Sequence, residues 1–530
     1  MLKELKTLDR WAIAILVWGL LFRLCIAYVM TPGFDEAYYT LYSRHLDWSY
    51  FDHPPLVAYT TGIGIWLTGT TNQLTMRLGG VILYTFTLLL FFLTSKKLFG
   101  LQSAKLTLAI ASIIPIFQII FGILTLPDVP LMFFWTLTLW LCVHEFFTEP
   151  ETYRPTIKIA WIGLAVGLSA LGKYHGFLLG ACLLLFVIFT RKYWSIFRSP
   201  YLVLSFVLFT VAIAPILIWN YQHDWVSFRF QGNRAIPISG YNLLDLLVVF
   251  LVGCGYLFPS FGFPLWWTNL QALWREIIAP HQTNNDRYRF ILWISLPIFV
   301  GFTLMGGYRQ VLPSWHMPGF WGAVLIMGNQ MAIAQAKHPK LIRNWLIVSG
   351  TIIILLISIA LAHITLGIAQ KGSNYAILGG FWAVEDDPST QIFDLQQITN
   401  TFQTDPMLKA ELEQADFVFA NNFFVAGQLG MAVEPLGKPV TCFDADMRGF
   451  AFWANPAQFV GKNGLYITTE KFKFSDLGDP NRGESLQKLA EYFSQISKIK
   501  DITILRGGQV IETLPVYRAT KLLKPYPFPY

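Results

Sequence analysis

Long runs of apolar residues recur along roughly the first 370 positions of this 530-residue chain. The hydrocarbon core of a bilayer is about 30 Å thick, and a helix that crosses it needs about 20 apolar residues because no backbone polar group can stay unpaired there. The pattern therefore predicts a polytopic all-α membrane protein with about 11 transmembrane helices. The predicted spans are 11–30, 74–94, 103–123, 127–147, 157–172, 175–190, 200–220, 242–266, 289–306, 316–335 and 344–369.

The composition excludes several other classes of protein. Charged residues make up 13% of the chain and hydrophobic residues 54%, against roughly 25% charged in soluble proteins, so a wholly soluble enzyme is excluded. The net charge of +7 is not gathered on one basic surface, and nucleic acid is excluded as a partner. Four of the five cysteines lie inside apolar runs, which leaves no disulfide framework and no cysteine-based metal site.

The first apolar run resembles a signal peptide in its basic flank, but its length and the further runs after it favour a membrane anchor. Lysines and arginines in short loops prefer the cytoplasmic side. If the N-terminus lies in the cytoplasm, the basic loops also lie on the cytoplasmic side. These loops are near 96–105, 154–158, 191–198, 275–289 and 337–343. An odd number of spans then puts the region after 369 outside, which is the periplasm if the membrane is a bacterial inner membrane.

Two domains are predicted, a transmembrane domain at 1–369 and an extracytoplasmic α/β domain at 370–530. In the second domain, short apolar runs predict strands at Asp416–Ala420, Val440–Phe443 and Leu465–Thr468. Pro406–Gln414 and Glu484–Ile499 are predicted as helices. Ile502–Tyr517 is predicted as a hairpin that turns at Gly507 and Gly508.

Unusual ionisable residues gather in the outer loops. These loops carry the segments Phe34–Tyr39 (FDEAYY), Tyr50–Leu56 (YFDHPPL), Pro127-Asp128, Lys173–His175, Gln222–Trp225 (QHDW), Arg229, Arg234 and Arg309 to His316. Each has a simpler interpretation: an acid in the first turn of a helix, an interfacial histidine, or a cation that binds lipid headgroups. Their convergence on one membrane face nevertheless favours a functional site.

The residue types at this face narrow the chemistry. Carboxylates suit a general base for an acceptor hydroxyl or amine, and aspartate with histidine suits a divalent metal. Lysine and arginine suit a phosphate. Together these groups match transfer from a lipid phosphate to an acceptor outside the cytoplasm, with the departing phosphate stabilised by the cations or the metal.

The order of five of these segments resembles the dolichyl-phosphate-mannose protein mannosyltransferase superfamily, and more closely its bacterial branch, glycosyltransferase family 39, together with the aminoarabinose transferases that act on lipid A. The segments are Asp35-Glu36 with the following YFDHPPL, Leu126–Leu131 (LPDVPL), Gly172–Tyr174 (GKY), Gln222–Phe228 (QHDWVSF) and Pro313–Pro318 (PSWHMP). The similarity covers most of 10–335, and Phe450–Pro456 (FAFWANP) resembles a recurrent feature of bacterial members.

The resemblance implies the GT-C architecture and an inverting glycosyltransferase with a polyprenyl-phosphate-linked sugar as donor, membrane lipids as partners and an extracytoplasmic lipid, glycan or protein as acceptor. It implies catalytic roles for three acids, Asp35 as general base, Glu36 and Asp128. It implies donor-phosphate binding by His53, Lys173, Arg229, Arg234 and Arg309, and a divalent cation such as Mg, Mn or Zn at Asp52, His223 and His316.

This chain departs from the related pattern at Asp52-His53, where the aminoarabinose transferases have glutamate and lysine. Aspartate can still bind a metal, but a neutral histidine is a poor replacement for lysine, so His53 is open to either role, phosphate binding or metal binding.

The leading alternative is a polyprenyl-lipid flippase or a transporter of the cell envelope. Transporters place ionisable residues near the bilayer midplane on broken helices, whereas the acids here gather in outer loops. A non-catalytic scaffold is the second alternative, and it leaves the outer-loop residues unexplained. The sequence leaves open which sugar and which acceptor the protein uses.

Overall fold

The computed structural model describes residues 8–148, 153–237, 240–278, 285–469 and 486–530. The helices before residue 370 are α1 Arg10–Val29, α2 Phe34–Tyr42, α3 Leu56–Thr68, α4 Thr75–Phe99, α5 Leu101–Ile113, α6 Asp128–Phe146, α7 Lys158–Gly172, α8 His175–Phe189, α9 Pro200–Gln222, α10 Val226–Asn233, α11 Leu243–Tyr256, α12 Pro259–Ile278, α13 Asn285–Met305, α14 Met317–Lys337 and α15 Pro339–Leu366. The predicted class, a mostly helical multi-span membrane protein followed by an α/β region, is confirmed.

Six of the described helices are long and apolar enough to cross a membrane, and eight spans result if two bent helix pairs each count as one. The six are α1, α4, α6, α9, α13 and α15. The count is lower than the predicted eleven because several predicted spans form shorter apolar helices, among them α5 and α7. The predicted span 316–335 is α14, whose residues Met317–Gly328 are all buried, so this helix lies inside the bundle.

Prolines account for two breaks in the predicted spans. The predicted span 103–123 divides where α5 ends before Pro115 and a π-helical turn, Phe117–Phe121, follows. The predicted span 242–266 becomes α11 and α12, which meet at 114° across Phe258 and Pro259. Proline lacks the backbone N–H and its ring clashes with the preceding turn, so a helix bends or ends there.

The chain forms two compact units that do not follow sequence order. The first unit consists of 1–25, 53–60 and 77–356, and the second of 26–52, 61–76 and 357–530. The second unit thus joins the segment around α2 to the C-terminal region. These units reflect packing, and the predicted domain boundary between residues 369 and 370 stays a prediction.

The C-terminal region contains a five-stranded mixed sheet. Its elements are α16 Gln396–Thr404, α17 Pro406–Gln414, β1 Phe417–Ala420, α18 Phe423–Val433, β2 Val440–Cys442, α19 Phe450–Trp453, β3 Gly464–Ile467, α20 Leu486–Ala490, β4 Phe493–Arg506 and β5 Gln509–Leu522. The strand order is β2-β1-β3-β5-β4. β1 is parallel to β2 and β3, while β5 is antiparallel to β3 and β4.

The three predicted strands, the helix at 406–414 and the hairpin are confirmed. The helix predicted at Glu484–Ile499 is wrong over most of its length, because only Leu486–Ala490 is helical and β4 begins at Phe493; residues 484–485 lie outside the described part. β4 pairs with β5 along fourteen residues through the Gly507-Gly508 turn. This long ladder overrides the weak helical pattern, since sheet pairing depends on the partner strand.

Within the second unit, α18 packs directly against α2. A Cβ atom on Gly427 would come within 3.1 Å of the Tyr38 backbone, so the small size of glycine favours this close approach. Arg44, just after α2, donates to the Gly430 carbonyl at 3.0 Å and forms an ion pair with Glu434 at 2.7 Å. These contacts hold the segment around α2 against the C-terminal region.

Candidate active site

The predicted acids Asp35 and Glu36 lie side by side in the first turn of α2 but have different environments. Asp35 is exposed, and acids are stabilised at a helix N-terminus. Glu36 is 1% exposed and its carboxylate accepts a hydrogen bond from the Gly33 N–H at 3.1 Å. Glu36 therefore stabilises the start of the helix, and Asp35 is the acid that a substrate can reach.

Asp52, a predicted metal ligand, is fully buried against two tyrosines of α2. Its Oδ1 accepts a hydrogen bond from Tyr38 at 3.2 Å and a second, short one from Tyr42. Burial raises the pKa of both phenols well above the usual value of 10, and the nearby Asp52 charge raises it further. Both tyrosines therefore stay protonated and donate to Asp52.

Arg448 lies on the other side of Asp52. Its Nη1 is 3.3 Å from Asp52 Oδ2, its Nε is 3.3 Å from Asp446, and its guanidinium lies 4.0 Å from the Phe423 ring centroid. Arg448 has φ = 48°, a left-handed conformation that is costly for a residue with a side chain. Such conformations persist where the surrounding structure requires them and cluster at functional sites.

Tyr39 connects these groups electrostatically. Its buried phenol has a pKa well above the usual value of 10, mainly because of burial and also because of Asp35 and Asp52, while Arg448 acts in the opposite direction. Two acids and one cation therefore surround one side chain of α2. The predicted base and the predicted metal ligand belong to the same small cluster of the second unit.

In the first unit, Asp128 and Lys173 form a buried ion pair. Lys173 Nζ lies 2.9 Å from both oxygens of Asp128, and the two residues are 6% and 4% exposed, respectively. Gly172 makes this pair possible because a Cβ atom there would come within 2.5 Å of the Leu131 backbone N. The end of α7 therefore packs directly on the start of α6. One predicted catalytic acid neutralises one predicted phosphate-binding cation.

Three predicted phosphate-binding residues surround His175 at the start of α8. His53, Lys173 and Arg234 all lie close enough to act electrostatically on its ring. Arg234 also stacks on Trp315, with its guanidinium 5.0 Å from the ring centroid. Residues from three separate segments thus lie near one another, and we call them the cation cluster: the cations Lys173 and Arg234 with the histidines His53 and His175.

The QHDWVSF segment folds as a tight turn that leads into α10. Asp224 and Trp225 both have left-handed backbones, with φ of 51° and 58°. Ser227 contacts Tyr174 through their hydroxyls at 2.5 Å, which joins this segment to Gly172–Tyr174. Arg229 on α10 is exposed, so its guanidinium is accessible.

Arg309 occupies the end of α10. Its Nη1 donates to the carbonyl of Asn233, the last residue of α10, at 2.7 Å and to that of Ile236 in the following loop at 2.9 Å; the last carbonyls of a helix have no partner within it. Arg309 therefore orders the loop that carries Arg234. Phosphate binding was predicted for Arg309, and the contacts observed for its side chain are to backbone carbonyls.

The predicted metal ligands do not form a site that fits a divalent cation. Among the described ranges, no group of three or more His, Cys, Asp or Glu side chains is placed to hold a metal ion. Asp52 is instead bound to two phenols and a guanidinium, and His223 contacts the Trp219 carbonyl at 2.7 Å through Nδ1. His316 is buried, and neither ring nitrogen has a hydrogen-bond partner in the described part of the chain.

Sequence analysis missed Arg448, Tyr38 and Tyr42. Tyr38 was visible within the FDEAYY segment and Tyr42 follows that segment, and their spacing of four residues places both on one face of a helix. Arg448 lies two positions before the FAFWANP segment, and α19 of that segment packs on α2 through Tyr38 and Trp453, whose ring centroids are 5.6 Å apart. The position of FAFWANP near the outer loop was the available signal.

Comparison with known proteins supports the predicted resemblance. Residues 52–219 match the model of the dolichyl-phosphate-mannose-protein mannosyltransferase family. The lipid A galacturonosyltransferase RgtD of Rhizobium johnstonii is 26% identical over 326 residues, which are 60% of this chain and 63% of the relative. An uncharacterized protein of Aquifex aeolicus is 26% identical over 55% of this chain and 56% of its own. The chain therefore matches about three fifths of the length of these curated relatives.

Two solved structures show the fold. ArnT from Cupriavidus metallidurans bound to undecaprenyl phosphate has a TM-score of 0.59 at 13% identity, covering 97% of this chain and 99% of ArnT. The Archaeoglobus fulgidus oligosaccharyltransferase in complex with Zn and sulfate has a TM-score of 0.50 at 12% identity, covering 92% of this chain and 72% of that protein. The chain has an ArnT-like fold, and its resemblance to the mannosyltransferase superfamily is confirmed.

Proposed function

We propose that the protein is an integral-membrane glycosyltransferase that moves a sugar from a polyprenyl-phosphate donor to a lipid acceptor outside the cytoplasm, with inversion. The observation that carries the proposal is the cation cluster. Three separate segments bring Arg234, the Asp128-bound Lys173 and two histidines together at the start of an apolar helix. A lipid phosphate needs this combination, since its head binds cations and its chain needs an apolar surface.

Two of the proteins described above support the choice of substrates. ArnT was solved with undecaprenyl phosphate bound, and RgtD is described as acting on lipid A. We infer a polyprenyl phosphate as the carrier of the sugar and a glycolipid of the outer leaflet as the acceptor.

Asp35 is the proposed general base. It is exposed at the start of α2 and can accept the proton of an acceptor hydroxyl or amine. The acceptor oxygen or nitrogen then attacks the anomeric carbon while the bond to the donor phosphate breaks on the opposite face. One carboxylate base is sufficient for such a single displacement, and no covalent sugar intermediate forms.

The cation cluster stabilises the leaving phosphate. As the bond to the sugar breaks, negative charge grows on the phosphate oxygens, and preorganised cations stabilise that charge more than the ground state. Lys173 is held by Asp128 and does not move freely, so Asp128 acts by positioning Lys173. Arg229, which is exposed on α10, adds a further cation to this face.

The proposed orientation places the N-terminus in the cytoplasm and the C-terminal region in the periplasm of a bacterial inner membrane. The basic residues of the short loops support this orientation. A cysteine introduced at the exposed Glu385 should react with a membrane-impermeant maleimide in intact spheroplasts. Protection of that cysteine until the membrane is permeabilised would contradict the orientation.

The test of function is transfer by the purified full-length protein in detergent. A panel of radiolabelled undecaprenyl-phosphate sugars, including a galacturonic acid donor, is incubated with lipid A as acceptor. Wild type should transfer label, and Asp35→Asn should be slower by about 10²- to 10⁴-fold, the contribution of a general base. Glu385→Gln, which changes an exposed acid of the same unit, is the control and should match wild type.

Two outcomes would contradict the proposal. Equal activity of folded Asp35→Asn and wild type would remove Asp35 as the base. Absence of transfer from every donor, together with movement of a fluorescent polyprenyl phosphate across liposomes containing the protein, would instead favour the flippase.

A further inference from the structure

The environment of Asp52 differs from that of a metal ligand. A carboxylate that binds a divalent cation directs a lone pair at an ion about 2 Å away and is oriented by hydrogen bonds from its other side. Here Oδ2 of Asp52 faces the Arg448 guanidinium at 3.3 Å, and Oδ1 accepts from Tyr38 and Tyr42. A guanidinium so close would repel a divalent ion on Asp52.

Arg448 is held firmly in this position. Asp446 pairs with its Nε, and Tyr530 accepts a hydrogen bond from the Arg448 N–H at 2.6 Å while it donates to Asp446 at 3.0 Å. Tyr530 also stacks on Phe51, the neighbour of Asp52, with ring centroids 4.2 Å apart. The left-handed backbone of Arg448 is thus maintained by contacts on several sides.

The charge on Arg448 is permanent. A guanidinium stays protonated in proteins, and the carboxylates of Asp446 and Asp52 lie within 3.3 Å of it. Arginine also carries donors in a fixed fork, which a carboxylate can bind without an ion. The Arg448 side chain therefore provides the positive charge beside Asp52.

We propose that Arg448 takes the place of a divalent metal at Asp52, so that Asp52 works without a metal ion. Arg448 is a positioning residue: it neutralises Asp52 and fixes the two tyrosines and, through them, the α2 helix that presents Asp35. The test of this inference by sugar transfer rests on the proposed function, while its test by Mn²⁺ binding does not.

The first experiment measures Mn²⁺ binding to the detergent-solubilised full-length protein by electron paramagnetic resonance. Wild type and Asp52→Asn should bind Mn²⁺ equally, because Asp52 holds no ion in either. Arg448→Met should gain a site that is lost again in Arg448→Met/Asp52→Asn. Arg518→Met, which removes a more exposed arginine paired with Glu411, is the control and should gain no site.

Two results would overturn the proposal at this stage. Wild type could bind an Mn²⁺ ion that Asp52→Asn loses, which would make Asp52 a metal ligand. Alternatively, folded Arg448→Met could gain no site, and the guanidinium would then not be what excludes the ion. If Arg448→Met does not fold, the wild-type and Asp52→Asn pair still decides the matter.

The second experiment measures sugar transfer with and without EDTA. Wild type should keep its rate in EDTA, Arg448→Lys should keep part of it, and Arg448→Met should lose about 10- to 100-fold, the range for groups that orient a functional ligand. Added Mn²⁺ should partly restore the transfer rate of Arg448→Met. It should leave the rate of EDTA-treated wild type unchanged, because EDTA does not lower that rate. A purely structural role of Arg448 would give no such change in metal dependence.

The two proposals fail in different ways. Suppose that EDTA abolishes transfer by wild type, that Mn²⁺ restores it, and that Asp52→Asn no longer binds the metal. This result would overturn the role of Arg448, while the proposed glycosyltransferase function would stand. Absence of any transfer by wild type would overturn the proposed function, and the Mn²⁺ measurements would still decide whether Arg448 excludes a metal.

Discussion

Each unit of the protein contains a buried carboxylate bound to a cation, and the two pairs are built differently. In the first unit, Lys173 binds both oxygens of Asp128 at 2.9 Å, and both residues come from segments that sequence analysis selected. In the second unit, Arg448 meets Asp52 at 3.3 Å from a position 396 residues away in sequence. Arg448 also pairs with Asp446, and Asp52 also accepts from two tyrosines.

The difference lies in the alternative partners of each group. Removing one member of a buried pair is costly when the remaining charge has nothing else to bind, and less costly when other donors or acceptors remain. Lys173 donates to both oxygens of Asp128, and no other side chain among the described residues donates to that carboxylate. Asp52 and Arg448 each retain an observed partner if the other is removed. The first pair should therefore be the more sensitive to substitution.

The largest effect is expected for Lys173→Met. This variant leaves the Asp128 carboxylate buried without its cation, and the free energy of unfolding should fall by about 3–5 kcal/mol. Asp128→Asn/Lys173→Met removes both charges and should recover part of that loss. The measurement is thermal unfolding in detergent. Lys192→Met, which removes a more exposed cation paired with Asp286, is the control, and equal midpoints for Lys173→Met and this control would refute the expectation.

A smaller effect is expected for Asp52→Asn. The amide oxygen still accepts from Tyr38 or Tyr42, and Arg448 keeps Asp446, so the loss should be about 1–3 kcal/mol. The same unfolding assay gives the value beside that of Lys173→Met. A loss as large as that of Lys173→Met would show that the second pair has no effective alternative partners, and the contrast between the units would disappear.

The smallest effect is a pH dependence at Asp387, a third buried carboxylate, which binds Arg506 at 2.8 Å. Burial raises its pKa, but hydrogen bonds from Ser389 and the charge on Arg506 outweigh burial and hold the pKa below the usual 3.8. A depressed folded pKa stabilises the fold above pH 3.8, and this stabilisation is lost as the pH falls through the folded pKa. The unfolding midpoint of wild type should therefore fall more steeply below pH 4 than that of Asp387→Asn.

Glu385→Gln, which changes an exposed acid nearby in sequence, is the control for that titration and should follow wild type. Parallel curves for wild type and Asp387→Asn would show that the carboxylate has the same proton affinity in the folded and unfolded protein. Such a result would remove Asp387 from the set of carboxylates that the C-terminal region stabilises.

Much of the fold could be predicted from sequence because its signals are local. Apolar length identified most of the long helices, and short apolar runs identified β1, β2 and β3. The helix predicted at 484–499 failed because β4 is stabilised by pairing with β5, and the pattern of a single segment does not include its partner. Pro115 and Pro259 are visible in the sequence, but the predicted spans 103–123 and 242–266 run through them, so the two helix breaks were not predicted.

The candidate site could be predicted in part for the same reason. Asp35, Asp128 and Lys173 stand in short segments whose residue types already indicate chemistry, and the sequence by itself determined that acids and cations gather in segments between the apolar runs. Only the tertiary structure decided their partners. It paired Lys173 with Asp128 through the close approach at Gly172, buried Glu36 as a helix cap, and brought Arg448 to Asp52, since contacts between residues distant in sequence depend on packing rather than local pattern.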